Sequence, residues 1–198
     1  MGFAVTDTAL LKKTGGLDSI ALSISRNTAQ TLAALAQKPV RIRSVKAGIM
    51  LADDALESIS QSPLIGAYVK IIGPIKGAVV VMFSPKSAAQ FADMLLQKNS
   101  GTTKVIGRME MSALSEACNI ISASCLTGLG KEFGFLLFQS TPRFTSTSTL
   151  AATGNLKSYF DAQLPITVVE AEFEVGNGTC GMLKVVYDGS MAKKVAGI

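Results

Sequence analysis

Residues 65–85 read IGAYVKIIGPIKGAVVVMFSP. Two apolar runs, 65–72 and 77–84, flank the turn GPIKG, a pattern that predicts an antiparallel β-hairpin. Ser84 followed by Pro85 then marks a helix start: a capping hydroxyl stands ahead of a proline whose fixed φ is already helical. The expected helix runs from 85 to about 97. A hairpin feeding directly into a helix points to an antiparallel sheet with helices packed on it.

The order around this hairpin occurs twice. Upstream, LDSIALSISRNTAQTLAALAQ (17–37) has helical apolar spacing and stops near Lys38-Pro39. PVRIRSVKAGIM follows with β-branched Val40, Ile42 and Val45, and DDALESIS (53–60) reads as a short helix or turn. Downstream, MEMSALSEACNIISASCLTGLGK (109–131) is a second long helix ending in glycines, and FGFLLFQS (133–140) a strand. A polar connector holds a short helix at 155–162. ITVVEAEFEV and GTCGMLKVVY then form a second hairpin around Gly176-Asn177-Gly178, and SMAKKVAGI begins a short final helix. VVVMFSPKSAAQFA and LKVVYDGSMAKKVA are the most alike segments, which suggests a diverged internal duplication. The expectation is a single α+β domain over 1–198, long helices on one large antiparallel sheet, with halves at approximately 17–98 and 108–198.

Of the 198 residues, 48% are apolar and 17% charged, the composition of a folded globular chain. Net charge is +5, a weak preference for acidic partners. There is no histidine, which removes Ser-His-Asp and Cys-His catalysis, HExxH zinc sites and imidazole bases together. Cys118, Cys125 and Cys180 form no CxxC and read as reduced, buried thiols of a cytosolic protein. The N-terminus lacks the basic region and long apolar run of a signal peptide. Lys70, Pro74 and Lys76 interrupt the most hydrophobic region, so membrane insertion is not expected and the protein reads as cytoplasmic.

Several short motifs carry less than they suggest. GLGKE (128–132) lacks the preceding strand and the Ser/Thr of a phosphate loop, and its glycines read as helix termination. SMAK (190–193) and KTG (13–15) are in the wrong order for a serine acyl-enzyme. Lys38, Arg41, Arg43 and Lys46 lack the interleaved aromatics that stack bases, so nucleic-acid binding is not expected. Asp53, Asp54 and Glu57 read as the solvated start of a helix, where carboxylates are favourable, and not as a metal site.

In the second long helix, Ser112, Glu116 and Asn119 recur at intervals of four and three and so share one side of a helix with 3.6 residues per turn. The opposite face, Leu114, Ala117, Ile121 and Cys125, is the one to bury. Pro142 follows Asn119 after twenty-two intervening residues. The pattern Ser/Asp-x3-Glu-x2-Asn-x22-Pro resembles the signature of the CheC/CheX/FliY phosphatases of bacterial chemotaxis. CheC and FliY commonly carry it in both halves. Here the first-half counterparts fall near Gly15, Ser19, Leu22 and Val45, with no Glu and Asn pair, and in this the chain is more similar to CheX.

The resemblance implies hydrolysis of the aspartyl phosphate of a CheY-like response regulator, which would itself contribute the Mg²⁺ and a lysine. This chain would bind no cofactor of its own. Asn119 would position the attacking water, Glu116 would engage the regulator's lysine, Ser112 would support docking, and Pro142 would shape the adjoining segment. Absence of histidine agrees with a mechanism that needs neither imidazole nor a nucleophile from this chain. The resemblance leaves open a homodimer, regulation by the deamidase CheD, and a non-catalytic role as a regulator-binding or flagellar-switch interaction module.

Overall fold

The structure, a computed structural model, describes residues 16–57, 64–145, 159–161 and 164–188. The helices expected at 155–162 and 190–198 fall largely or wholly outside these residues, as do SMAK and KTG. In chain order the elements are α1 (Gly16–Ala36), β1 (Val40–Leu51), α2 (Ala52–Glu57), β2 (Ile65–Ile72), β3 (Gly77–Phe83), α3 (Pro85–Leu95), α4 (Arg108–Phe133), β4 (Phe138–Gln139), β5 (Arg143–Thr145), β6 (Pro165–Val175) and β7 (Thr179–Asp188).

All strands join one antiparallel sheet in the order β1-β6-β7-β3-β2-β4, with β5 also pairing β2. Both expected hairpins are present: β2 pairs β3 from Ile65↔Phe83 to Ile71↔Gly77, and β6 pairs β7 from Ile166↔Asp188 to Val175↔Thr179. The hairpins meet at the sheet centre, where β3 pairs β7. The outer strands pair with the hairpins, β1 with β6 and β4 and β5 with β2. The fold is therefore α+β, as the sequence predicted.

Alternation along the strands separates two cores. Val79, Val81, Phe83, Val169, Phe173, Leu183 and Val185 point to the side covered by α1, α3 and α4, where Ile24, Leu32, Phe91, Leu114 and Ile121 complete the larger core. Tyr68, Val80, Met82, Val168 and Val186 point the other way, against Ala55 and Leu56 of α2 and Phe160. Strands with both faces covered read as continuous apolar runs, which is why VVVMF is unbroken.

The expected N-cap is in place. Ser84 Oγ accepts from the backbone N–H of Ser87 at 3.1 Å, with Pro85 in the first turn of α3. Two expectations need correction. Gly128 and Gly130 do not end α4; they are buried inside it, and the helix stops at Gly134, in the left-handed conformation at φ 72°. A Cβ at Gly128 would come 2.6 Å from Asn27 Nδ2, and one at Gly130 would come 2.5 Å from the Phe135 carbonyl. These glycines admit α1 and the returning chain. The strand expected over 133–140 is only Phe138–Gln139, because α4 runs on to Phe133 and the chain must then reverse.

Candidate functional site

The site is built on the N-terminal half of α4. Glu110 fixes where that helix begins. Its Oε2 accepts from the Gly107 N–H at 3.0 Å, and its Oε1 from Lys98 Nζ at 2.7 Å. The Lys98 contact, with these backbone bonds, holds the Glu110 carboxyl below its ordinary range. Upstream, buried Asp93 accepts from the amides of Gly101 and Thr103 at 2.8 and 3.0 Å and orders the loop that enters α4.

Leu114, Ala117, Ile121 and Cys125 are all buried, as the helical pattern predicted, and Cys118 joins them. Burial in apolar surroundings pushes the Cys118 thiol up to about 12 and raises that of Cys125 as well. Both are therefore neutral packing groups at pH 7. Cys180 differs from expectation: it is half-buried, and Arg43 Nη1 donates to its Sγ at 3.3 Å.

On the opposite face, Ser112 and Glu116 are exposed and Asn119 is half-buried. Met109 and Ile120 extend the same face at helical spacing, 63% and 38% exposed, so an apolar residue stands at each end of the polar stripe. α1 lies antiparallel to α4. Thr31 Oγ1 donates to Ser124 Oγ at 2.7 Å, Asn27 stands opposite Gly128, and Ser19 Oγ donates to Glu132 Oε2 at 2.8 Å. These contacts lie along the C-terminal half of α4, away from Ser112 and Glu116.

Pro142 lies in the gap between β4 and β5, the two short strands that pair β2. Ser140 anchors this gap to Lys70: the Ser140 N–H donates to the Lys70 carbonyl at 2.9 Å, and Ser140 Oγ accepts from the Lys70 N–H at 3.0 Å. Gln139, just before the gap, reaches α4. Its Nε2 donates to the Asn119 carbonyl at 3.1 Å and also to Asn119 Oδ1. Helical periodicity gives no sign of this contact, which joins residues 20 apart across two elements. The structure thus brings Ser112, Glu116 and Asn119 onto one face and sets the Pro142 segment beside them. Of the first-half counterparts, Ser19 is engaged with Glu132, Val45 lies on β1 against the larger core, and Gly15 is outside the described residues.

Among the described residues no group of three or more His, Cys, Asp or Glu side chains is placed to hold a metal ion. No helix among them is long and apolar enough to cross a membrane.

Solved structures share this architecture. Thermotoga maritima FliY superposes with a TM-score of 0.71 at 18% identity, over 94% of this chain and 96% of that one. The FliM middle domain of Vibrio alginolyticus gives 0.64 at 14% identity, over 92% and 98%. CheX from Desulfovibrio desulfuricans gives 0.59 at 16% identity, over 85% and 99%. These likenesses define the class as a CheC-like α+β fold. Within it, residues 65–160 match the family described as Chemotaxis phosphatase CheX, a span that contains Ser112, Glu116, Asn119 and Pro142. The resemblance to the CheC/CheX/FliY family is borne out. No curated protein matches the chain.

Proposed function

We propose that the protein is a phosphatase that removes the phosphoryl group from the aspartyl phosphate of a CheY-like response regulator in chemotaxis. The observation that carries this reading is the complete Ser112, Glu116 and Asn119 set on the solvent-facing side of α4, with the Pro142 segment beside it. The uncovered end of α4 would enter the regulator's site, and Met109 and Ile120 would add apolar contact at either end of the stripe.

The regulator would bring the phosphorylated aspartate, the Mg²⁺ and a lysine. Glu116 would pair with that lysine and set the register of docking. Asn119 would hold a water in line with the phosphorus. A carboxamide suits this task because it orients water without adding charge beside a phosphoryl group. Rate enhancement would come from orientation, by turning a wandering water into a fixed nucleophile. Ser112 would support docking one turn away, and the Pro142 segment would hold its side of the site in shape.

A second reading has its own support. The FliM middle domain shares the fold over nearly all of its length, which fits a flagellar-switch or regulator-binding module that does no chemistry. A homodimer and regulation by CheD are compatible with either.

Phosphate release from a phosphorylated CheY-type regulator, with Mg²⁺ and increasing amounts of the protein, separates the two. The phosphatase reading expects decay faster than the regulator's spontaneous rate and proportional to added protein. Binding to the phosphorylated regulator without acceleration would overturn it in favour of the interaction module.

A further inference from the structure

We propose that Gln139 is a positioning residue that fixes the carboxamide of Asn119; the inference rests on the phosphatase reading of the α4 site. Gln139 ends the two-residue strand β4, opposite Ile71, with its side chain toward α4. One atom, Nε2, meets both the main-chain carbonyl of Asn119 and the Oδ1 of the same residue. A main-chain carbonyl can only accept, so the atom facing it must be the amide nitrogen. That nitrogen then has to meet the oxygen end of Asn119, not its NH₂. Both carboxamides are thereby oriented.

The consequence for Asn119 is specific. Its carboxamide is tied to its own helix backbone through Gln139 and cannot swing freely. Both Nδ2 hydrogens and the second Oδ1 lone pair are left for a water or phosphoryl oxygen. Gln139 Oε1, in contrast, is buried with no hydrogen-bond partner among the described residues. Glutamine's polar end therefore has Asn119 as its engagement and leaves an oxygen unsatisfied, a cost that a methionine of similar length would avoid. Packing alone does not explain a glutamine here. The break at Pro142 acquires a role as well. β4 stops at Gln139, and Ser140 and Lys70 are pinned together through the N–H groups of both, so the base of the Gln139 side chain is held in place.

The test is Gln139→Met, assayed at saturating phosphorylated regulator beside wild type, Asn119→Ala and the double variant. The expected result is a kcat reduced roughly 10-fold or more, the scale of a misplaced reacting group. KM and affinity for the beryllofluoride-activated regulator should stay at wild type, and Tm at or above it. The double variant should be no slower than Asn119→Ala alone, because Gln139 acts through Asn119. An unchanged kcat, or a loss that multiplies with that of Asn119→Ala, would overturn the proposal. Side-chain amide NMR separates this claim from the phosphatase reading. The Asn119 Nδ2 resonances should move in Gln139→Met, and identical resonances would overturn the positioning role whatever the activity. Failure of the phosphatase reading would appear instead as no acceleration of regulator dephosphorylation by the wild-type protein, an outcome the Asn119 resonances do not report.

Discussion

The two long helices lie side by side on one sheet, yet among the described residues the candidate polar stripe is on α4 alone. α1 engages its polar residues in holding α4: Ser19 bonds Glu132, Thr31 bonds Ser124, and the Asn27 carbonyl accepts from Ser124 Oγ at 3.2 Å. α4 returns those bonds from its C-terminal half and leaves Ser112 and Glu116 to solvent. The outer strands differ in the same sense. β1 runs twelve residues along β6 with a single irregularity between Ile42 and Ser44. Its counterpart across the sheet is broken into β4 and β5, and Gln139 at the break reaches Asn119. The candidate site thus lies where α4 is exposed beside a broken edge strand, whereas β1 is a long strand with a single irregularity.

The largest expected effect comes from the buried face of α4. Ile121 is fully buried, so Ile121→Asp places an unpaired carboxylate in the larger core and should cost more than about 4 kcal/mol. Loss of the cooperative unfolding transition checks this; a folded Ile121→Asp would mean that the two faces of α4 are wrongly assigned. On the exposed face, Glu116→Lys should leave Tm within about 2 °C of wild type, as surface substitutions do. It should weaken binding to the phosphorylated regulator by about 10-fold, the scale of a single charge-assisted hydrogen bond. Titration of the activated regulator checks this, and unchanged affinity would remove Glu116 from docking.

The buried thiols give a pH dependence that the exposed face does not. Cys118 is raised by burial from an ordinary 9.0 to about 12, and Cys125 is raised too. Thiolates are favoured in the unfolded chain, so this contribution to stability is fully present below about pH 9 and is lost as pH climbs toward 12. Denaturation between pH 8 and 11 should show that decline, shallower in Cys118→Ala; equal slopes would contradict it. The smallest effect belongs to α1. Ser19→Ala removes one exposed hydrogen bond and should cost under about 1 kcal/mol by chemical denaturation, with phosphatase activity unchanged.

Much of this was legible in the sequence because it is periodic or local. Apolar runs around Gly-Pro and Gly-Asn turns marked both hairpins, and Ser84-Pro85 the start of α3. The spacing of Leu114, Ala117, Ile121 and Cys125 separated the faces of α4. What was not legible depends on neighbours distant in sequence. Gly128 and Gly130 look like helix stops because glycine usually punctuates, but here close packing of α1 and the returning chain requires them within the helix. β5, the three-residue segment Arg143–Thr145, has one apolar residue, Phe144, too short an alternation to announce a strand. Gln139 is the first polar residue after an apolar run until the fold sets it against Asn119.

Asn119 is where the comparison between the two helices meets the proposed chemistry. The most direct test follows the decay of a phosphorylated CheY-type regulator under single-turnover conditions, with saturating wild-type protein or Asn119→Ala and binding measured in parallel. The expected result is equal affinity and a decay rate in Asn119→Ala reduced by about 100-fold or more, toward the regulator's spontaneous rate. Wild-type decay in the presence of Asn119→Ala would contradict the account and return α4 to a docking surface.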